Sequence, residues 1–115
     1  MSKVFVVQIQ KKYVRTNGIP KLVNSVDVTP AKQFGEIIEL VPEHIAETGD
    51  EIVIRDHIYD VLEEHYAEND FILPVGSPIF IGVACAILTD LFGGKIKFLV
   101  WDRRKSVYEV KTYHI

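Results

Sequence analysis

The chain has 115 residues and a mass of 13.1 kDa, which suffices for one domain with a single hydrophobic core. Apolar residues make up 48% of the chain and charged residues 25%, a balance typical of globular proteins and unlike that of disordered ones. The formal charge of −3 argues against broad electrostatic binding to DNA or RNA.

The cysteine content and the apolar runs indicate a cytoplasmic protein. Cys85 is the one cysteine and cannot form a disulfide within the chain. Met1-Ser2-Lys3 leads directly into a strand-like segment, which does not resemble a secretory signal. The most apolar run, residues 78–92, is shorter than the roughly 20 residues that a membrane-spanning helix needs.

The N-terminal segment predicts a strand, a hairpin and a short helix. Residues 3–9 are rich in β-branched side chains and predict the first strand. Asn17-Gly18 predicts a type I′ hairpin turn, because both residues tolerate positive φ, and a return strand follows over residues 22–28. Thr29-Pro30 predicts the start of a short helix that ends at Gly35.

The central segment predicts a buried strand and a long helix. Residues 36–41 form an apolar run ended by Pro42, which is typical of a buried strand. Thr48 and Glu51 fit a capping box at the start of a helix that extends to about Ala67. The predicted inward stripe of this helix comprises Ile54, Ile58, Val61, Leu62 and His65.

The C-terminal half predicts three more strands and a second helix. Residues 71–73 form a short strand, and Gly76-Ser77-Pro78 predicts the loop and the start of a helix over residues 78–92. This helix is apolar nearly all round, so we expect it to be buried on both sides or to lie in a subunit interface. Residues 95–101 and 107–113 predict two final strands joined by a polar turn.

This order of elements predicts an α/β fold. We expect a small mixed sheet with a central β-α-β-α-β parallel unit, flanked by N- and C-terminal β-hairpins that extend the sheet at its edges. No repeat, linker or low-complexity segment interrupts the sequence, so residues 1–115 are predicted to form a single α/β domain.

A ligand site is expected beyond the carboxyl ends of the parallel strands, where open α/β sheets bind their ligands. Three loops leave those ends, and two helix N-termini there offer free amides and partial positive charge. Arginine side chains can bind a phosphate through paired hydrogen bonds, and aromatic rings can stack a base. The predicted ligand-binding residues are Gly76, Ser77, Trp101, Arg103, Arg104, Tyr108 and His44.

Catalytic and metal sites are less well supported. His44, Ser77 and Asp102 lie on the three loops, but the sequence contains no G-x-S-x-G elbow and neither nucleotide-binding glycine fingerprint. The residues His57, Asp60 and Glu64 share one helix face, which we interpret as a solvated acidic face because no second cluster supplies further ligands. The sequence therefore predicts no catalytic residue, no metal and no cofactor. Hydrolysis of a nucleotide through His44 or the acidic helix stays open as an alternative.

The C-terminal segment, residues 71–110, resembles a group of short uncharacterised proteins common in bacteriophage genomes. The shared features are Pro74-x-Gly76-x-Pro78, a helix with small residues, and a Trp-Asp-Arg turn followed by Tyr108. An aspartate often stands in that group where this chain has Ser77. The resemblance covers about a third of the chain, implies a phage or mobile-element origin, and brings no known activity.

Two hypotheses for the function follow. In the first, the chain is a non-enzymatic protein of the host cytoplasm that binds and sequesters a phosphate-bearing small molecule, such as a nucleotide or nucleotide-derived signal. In the alternative, it is a protein-interaction module or structural phage component that contacts a host protein through the apolar helix, at Ile79, Val83 and Ile87, or through an edge strand. Under either hypothesis we expect a homo-oligomer, which would cover one side of the apolar helix.

Overall fold

The structure, a computed structural model, describes residues 2–115 and contains seven strands, one 3₁₀ helix and three α-helices in that range. In chain order these are β1 (Lys3–Val6), β2 (Lys11–Thr16), β3 (Ile19–Asn24), the 3₁₀ helix η1 (Thr29–Phe34), β4 (Glu36–Glu39), α1 (Glu43–Ala46), α2 (Glu51–His65), β5 (Phe71–Leu73), α3 (Pro78–Phe92), β6 (Lys95–Asp102) and β7 (Val107–His114). No helix in the described residues is both long enough and apolar enough to span a bilayer.

Five strands form one sheet in the order β4-β1-β5-β6-β7. β1 is parallel to both of its neighbours, β5 is parallel to β6, and β7 pairs antiparallel with β6 at the edge. The predicted α/β fold, with a mixed sheet built around the parallel unit β4-α2-β5-α3-β6, is confirmed.

The N-terminal hairpin does not extend the main sheet as predicted. β2 and β3 form a separate two-stranded sheet, while β1 ends at Val6 and occupies the centre of the main sheet. The reason lies in the side chains: Val4, Phe5 and Val6 are fully buried, as a central parallel strand requires, whereas β2 and β3 are exposed at nearly every position. The hairpin turn itself is confirmed, since Asn17 and Gly18 adopt φ of 53° and 76°.

The sheet is covered on both faces. Alternate residues of β1 point to opposite sides, so that Phe5 packs in a core with α2 and α3, and Val4 in a smaller core with Ala31 of η1. The chain moves from β1 outward to β4, then back across β1 to β5 and β6. Right-handed crossovers in opposite directions place their helices on opposite faces, which gives a doubly wound sheet.

The start of α2 differs from the predicted capping box. Asp50 is the N-cap, and its Oδ1 accepts hydrogen bonds from the N–H groups of Ile52 and Val53 at 2.9 and 3.2 Å. Thr48 instead accepts a hydrogen bond from the Asp50 N–H through Oγ1. A carboxylate at the helix N-terminus satisfies two free amides and also interacts favourably with the helix dipole, which favours Asp50 over Thr48 as the cap.

The other end of α2 corrects the prediction that His65 belongs to the inward stripe. His65 is exposed and lies 3.8 Å from the carboxylate of Glu64. Tyr66, just beyond the helix, is buried instead and packs against Phe5 and Phe92, with ring centroids 5.6 and 5.2 Å apart. Because the helix ends at His65, the extended backbone at Tyr66 redirects the chain toward the core.

The apolar helix α3 has the predicted bounds, but within one chain it is buried on one side only. Ala84, Ile87 and Leu88 face the core, whereas Ile79 is 73% exposed. The three predicted contact residues therefore do not share an exposed face, since Ile87 is buried and Val83 half-buried.

Candidate ligand-binding edge

The parallel strands bring the three predicted loops to one edge of the molecule. His44 follows β4, Gly76 and Ser77 follow β5, and Arg103 and Arg104 follow β6. The loops are not equally close to one another. β1 and β5 lie between β4 and β6, so three inter-strand spacings, roughly 14 Å, separate the end of β4 from the end of β6.

The crevice between the carboxyl ends of β1 and β5 is closed by the chain itself. The Gln8 N–H donates to the Val75 carbonyl at 3.0 Å, and Gln8 Oε1 accepts from the Ser77 N–H at 2.9 Å. Gly76 has φ of 109°, and a Cβ added there would lie 2.8 Å from the Gln8 carbonyl oxygen. The close approach that Gly76 allows is therefore to Gln8, and the Ser77 amide already has a partner.

The aromatic residues predicted at this edge lie together. Trp101 and Tyr108 are cross-strand partners on β6 and β7, with ring centroids 5.0 Å apart in an edge-to-face arrangement. They line a cavity of about 580 Å³, together with Val26 and Val75. Tyr108 is 5% exposed and Trp101 is 42% exposed, so the tryptophan forms the accessible part of this wall. The volume lies within the range of small-molecule pockets.

The turn after β6 carries Arg103 and Arg104, which follow Trp101 by two and three residues in the sequence. Asp102 Oδ1 accepts hydrogen bonds from the N–H groups of Arg104 and Lys105 at 2.9 and 3.1 Å. These bonds, that from Lys105 most of all, hold the pKa of Asp102 below its ordinary value. A second hollow of about 370 Å³ has three basic residues and two carboxylates in its lining, which comprises Val100, Trp101, Asp102, Arg103, Arg104, Glu109 and Lys111. Trp101 therefore borders both the aromatic cavity and the hollow with the two guanidinium groups.

A carboxylate lies on another wall of the aromatic cavity. Asp27 lines the cavity, and its Oδ1 accepts a hydrogen bond from the Thr29 N–H at 2.9 Å. The hydroxyl and the N–H of Thr29 lower the pKa of Asp27, so it is ionised at neutral pH. Burial raises the pKa of Tyr108, and the negative charge of Asp27 raises it further, so the phenol stays neutral.

Sequence reasoning missed both Asp27 and Gln8. The pattern Asp27-x-Thr29-Pro30 is typical of a turn before a helix start, but it carries no sign of facing Trp101. Gln8 lies in a segment that the sequence predicts as strand. Gln8 is bonded to Val75 and Ser77, and Asp27 shares a cavity with Trp101, so both positions depend on parts of the chain that are distant in sequence, which local patterns do not encode.

A larger cleft of about 970 Å³ opens between the β2–β3 hairpin and α1. Its lining includes the carboxylates of Glu39, Glu43 and Glu47 and one basic residue, Lys11. Glu39 Oε2 also accepts a hydrogen bond from the Ile9 N–H at 2.6 Å. Three carboxylates against one lysine disfavour a phosphate in this cleft.

Within residues 2–115 no hydrogen bond joins any two of His44, Ser77 and Asp102. Ser77 donates its N–H to Gln8, and Asp102 accepts bonds from its own turn, while His44 is exposed on α1. Cys85 is half-buried, and burial raises the pKa of its thiol. Across residues 2–115, no three His, Cys, Asp or Glu side chains converge in a way that would hold a metal ion.

These observations define a small α/β protein with a doubly wound sheet, and with an aromatic cavity and a turn bearing two arginines at the carboxyl ends of its parallel strands. Residues 2–115 match the family model described as Phage Pam3 gp32-like protein, and the chain belongs to that family. The predicted resemblance to bacteriophage proteins is thus confirmed, and it extends over the chain rather than its C-terminal third alone. Comparison with curated proteins and with solved structures found no significant match.

Proposed function

We propose that this phage-family protein binds a phosphate-bearing small molecule, of the class of a nucleotide or nucleotide-derived signal, and sequesters it in the host cytoplasm without converting it. The base enters the aromatic cavity against Trp101, and the phosphate groups extend toward Arg103 and Arg104. One observation carries the proposal: Trp101 borders both the cavity and the hollow that contains the two arginines.

The chemistry of the lining residues supports a base and a phosphate at adjoining positions. Stacking on an aromatic side chain contributes about 1–3 kcal/mol per base, and a guanidinium binds phosphate oxygens through paired hydrogen bonds. The ionised carboxylate of Asp27 on the cavity wall accepts hydrogen bonds and repels phosphate. This favours a base with amino donors inside the cavity and keeps the phosphate outside it.

The remaining predicted residues have indirect parts in this proposal. Gly76 and Ser77 contact Gln8, which follows β1, and so fix the end of that strand. The adjacent residue Val75 lines the aromatic cavity. His44 is on the β4 side of the edge and makes no contact with the ligand in this arrangement.

Titration with a panel of nucleotides and cyclic nucleotides tests the proposal. Trp101 is the single tryptophan of the chain, so its fluorescence reports directly on the proposed site. We expect a bound nucleotide to quench it, and Arg103→Ala with Arg104→Ala to abolish binding without a change in Tm, because both side chains are exposed. The ligand is recovered after the titration: an unchanged nucleotide indicates binding alone, and a cleaved one indicates hydrolysis.

The matched control is Lys12→Ala with Lys21→Ala, which removes the same charge from the exposed hairpin. This variant should bind as the parent chain does. An affinity that survives loss of both arginines, or a panel in which no compound changes the fluorescence, would overturn the proposal.

A further inference from the structure

The two edges of the main sheet are protected to different degrees. β4 has only four residues, and two of them, Glu36 and Glu39, are glutamates. β7 has eight residues without a proline, and its pairing with β6 runs without a bulge from Val107 to His114. Residues 110–115 are all exposed. Natural sheets usually block such an edge, because its free N–H and C=O groups can pair with another strand.

We propose that β7 pairs with β7 of a second copy of this chain, antiparallel and with the two-fold axis at Val110. The two five-stranded sheets then form one continuous sheet of ten strands. The occupant is a second copy rather than an unrelated strand, because the sequence of β7 is complementary to itself in one register.

Backbone direction limits the possible registers. The Ile115 N–H donates to the Gly94 carbonyl at 2.7 Å, so the backbone groups of Ile115 and of alternate residues before it point toward β6. The intervening residues, Tyr108, Val110 and Thr112, therefore point their N–H and C=O groups away from the sheet. Hydrogen bonds between two copies form only where these outward residues face one another.

Charge selects among the remaining registers. With the axis at Val110, Glu109 lies opposite the partner's Lys111 and Lys111 opposite the partner's Glu109, which gives two cross-strand ion pairs. Moving the axis to Glu109 places this residue opposite the partner's Glu109, and moving it to Lys111 places that residue opposite the partner's Lys111. Either contact is repulsive. Within one chain, Glu109 and Lys111 already lie on the same side of β7, with Oε2 and Nζ 3.9 Å apart.

Apolar side chains on the edge favour the same register. Tyr113 is 58% exposed in the single chain, and the axis at Val110 brings it opposite the partner's Val107. Val110 itself is also exposed and meets its own copy. Aromatic and β-branched residues form favourable cross-strand pairs.

Mass measurement on charge variants of the full chain tests this interface. By native mass spectrometry and light scattering we expect a dimer. Lys111→Glu and Glu109→Lys should each raise the dissociation constant about tenfold or more, because two attractive pairs become repulsive. Glu109→Lys with Lys111→Glu restores both pairs and should restore the dimer. Lys21→Glu, on the separate hairpin, is the control and should dimerise normally.

Hydrogen exchange provides a second measurement. The Val110 and Thr112 amides should be protected in the dimer and exchange rapidly in the monomeric variants. Val110→Pro removes the central outward N–H without loss of a β6 bond and should give a folded monomer. A parent chain that stays monomeric at millimolar concentration, a double variant that fails to restore the dimer, or a dimer with a rapidly exchanging Val110 amide would overturn the inference.

Discussion

Gly76 and Gln8 are in contact although the sequence separates them widely, and this contact fixes the β5–α3 loop against the end of β1. Gly76 has positive φ, and any Cβ there meets backbone and side-chain atoms of Gln8. The sequence indicates a turn glycine at this position but not which atoms approach it. The tertiary contact thus explains a glycine that the sequence analysis assigned to a ligand.

Gly76→Ala should therefore destabilise the protein by about 2–4 kcal/mol, because strained backbone and steric overlap occur together. Urea denaturation measures the free energy of unfolding. Gly82→Ala is the control: a Cβ at this position of α3 meets no atom within 4 Å, and alanine in a helix is favoured by up to about 1 kcal/mol. Similar losses for the two variants would contradict this explanation.

Asp70 is a buried carboxylate, 1% exposed, that joins the N-terminus of β1 to the segment after α2. Its two oxygens accept hydrogen bonds from the N–H groups of Lys3 and Ala67, both at 2.8 Å, and the Lys3 ammonium lies 3.4 Å away. The sequence places Asp70 only between the predicted helix and the strand over residues 71–73. Its role depends on the strand order, which places β1 beside β5.

Replacement of Asp70 by alanine should lower the free energy of unfolding by about 3 kcal/mol, since it leaves two backbone donors without a partner. Thermal and urea unfolding give the difference. Asp56→Ala removes an exposed ion pair with Arg55 and should change stability by less than about 0.5 kcal/mol. A small effect at Asp70, comparable with that at Asp56, would show that water satisfies these amides.

At the scale of elements, local signals succeeded where they act within a few residues. The bounds of α3 and the turn at Asn17-Gly18 follow from proline, glycine and apolar periodicity, all of which are local. The prediction of the α2 cap was wrong because two residues that can cap a helix, Thr48 and Asp50, stand two positions apart in the sequence. The hydrogen bonds from the Ile52 and Val53 N–H groups identify Asp50 as the cap, and its carboxylate charge favours that position over the Thr48 hydroxyl.

The α2 cap can be tested by single substitutions. Asp50→Ala should destabilise the protein by about 1 kcal/mol, because two amides lose their acceptor. Glu51→Ala should have a smaller effect, a few tenths of a kcal/mol from the helix dipole alone. In a capping box the Glu51 side chain would accept a hydrogen bond from the Thr48 N–H. That N–H donates to the Ile45 carbonyl instead, so the Glu51 side chain has no capping role. Unfolding free energies with the opposite order would restore the capping box.

At the scale of the whole molecule, the β2–β3 hairpin is an addition to the main sheet rather than a part of it. The two ends of the hairpin segment lie side by side, because the Ser25 N–H donates to the Gln10 carbonyl at 2.7 Å. The chain therefore leaves the rest of the domain and returns to it at one point. The hairpin contributes Tyr13 and Leu22 to the acidic cleft, and neither residue is buried.

A chain in which a short glycine linker replaces residues 11–24 should therefore still fold, because the excised segment removes no residue of either core. Circular dichroism and thermal unfolding measure this, with a modest fall in Tm as the expected result. Tryptophan fluorescence should be retained, since Trp101 is distant in sequence and lines a different cavity. Loss of cooperative unfolding would show that the hairpin is integral to the fold.

The sequence by itself determined the α/β class, the bounds of the elements from β5 to β7 within one residue, the hairpin turn and the phage resemblance, because turn chemistry, helix punctuation and apolar runs act over short stretches of chain. Only the tertiary structure decided that β1 lies between β4 and β5, that Asp27 faces the cavity of Trp101, and that the Ser77 amide is bonded to Gln8. These contacts join residues far apart in sequence. They depend on which strands pair and which faces are buried, and local residue patterns carry no record of either.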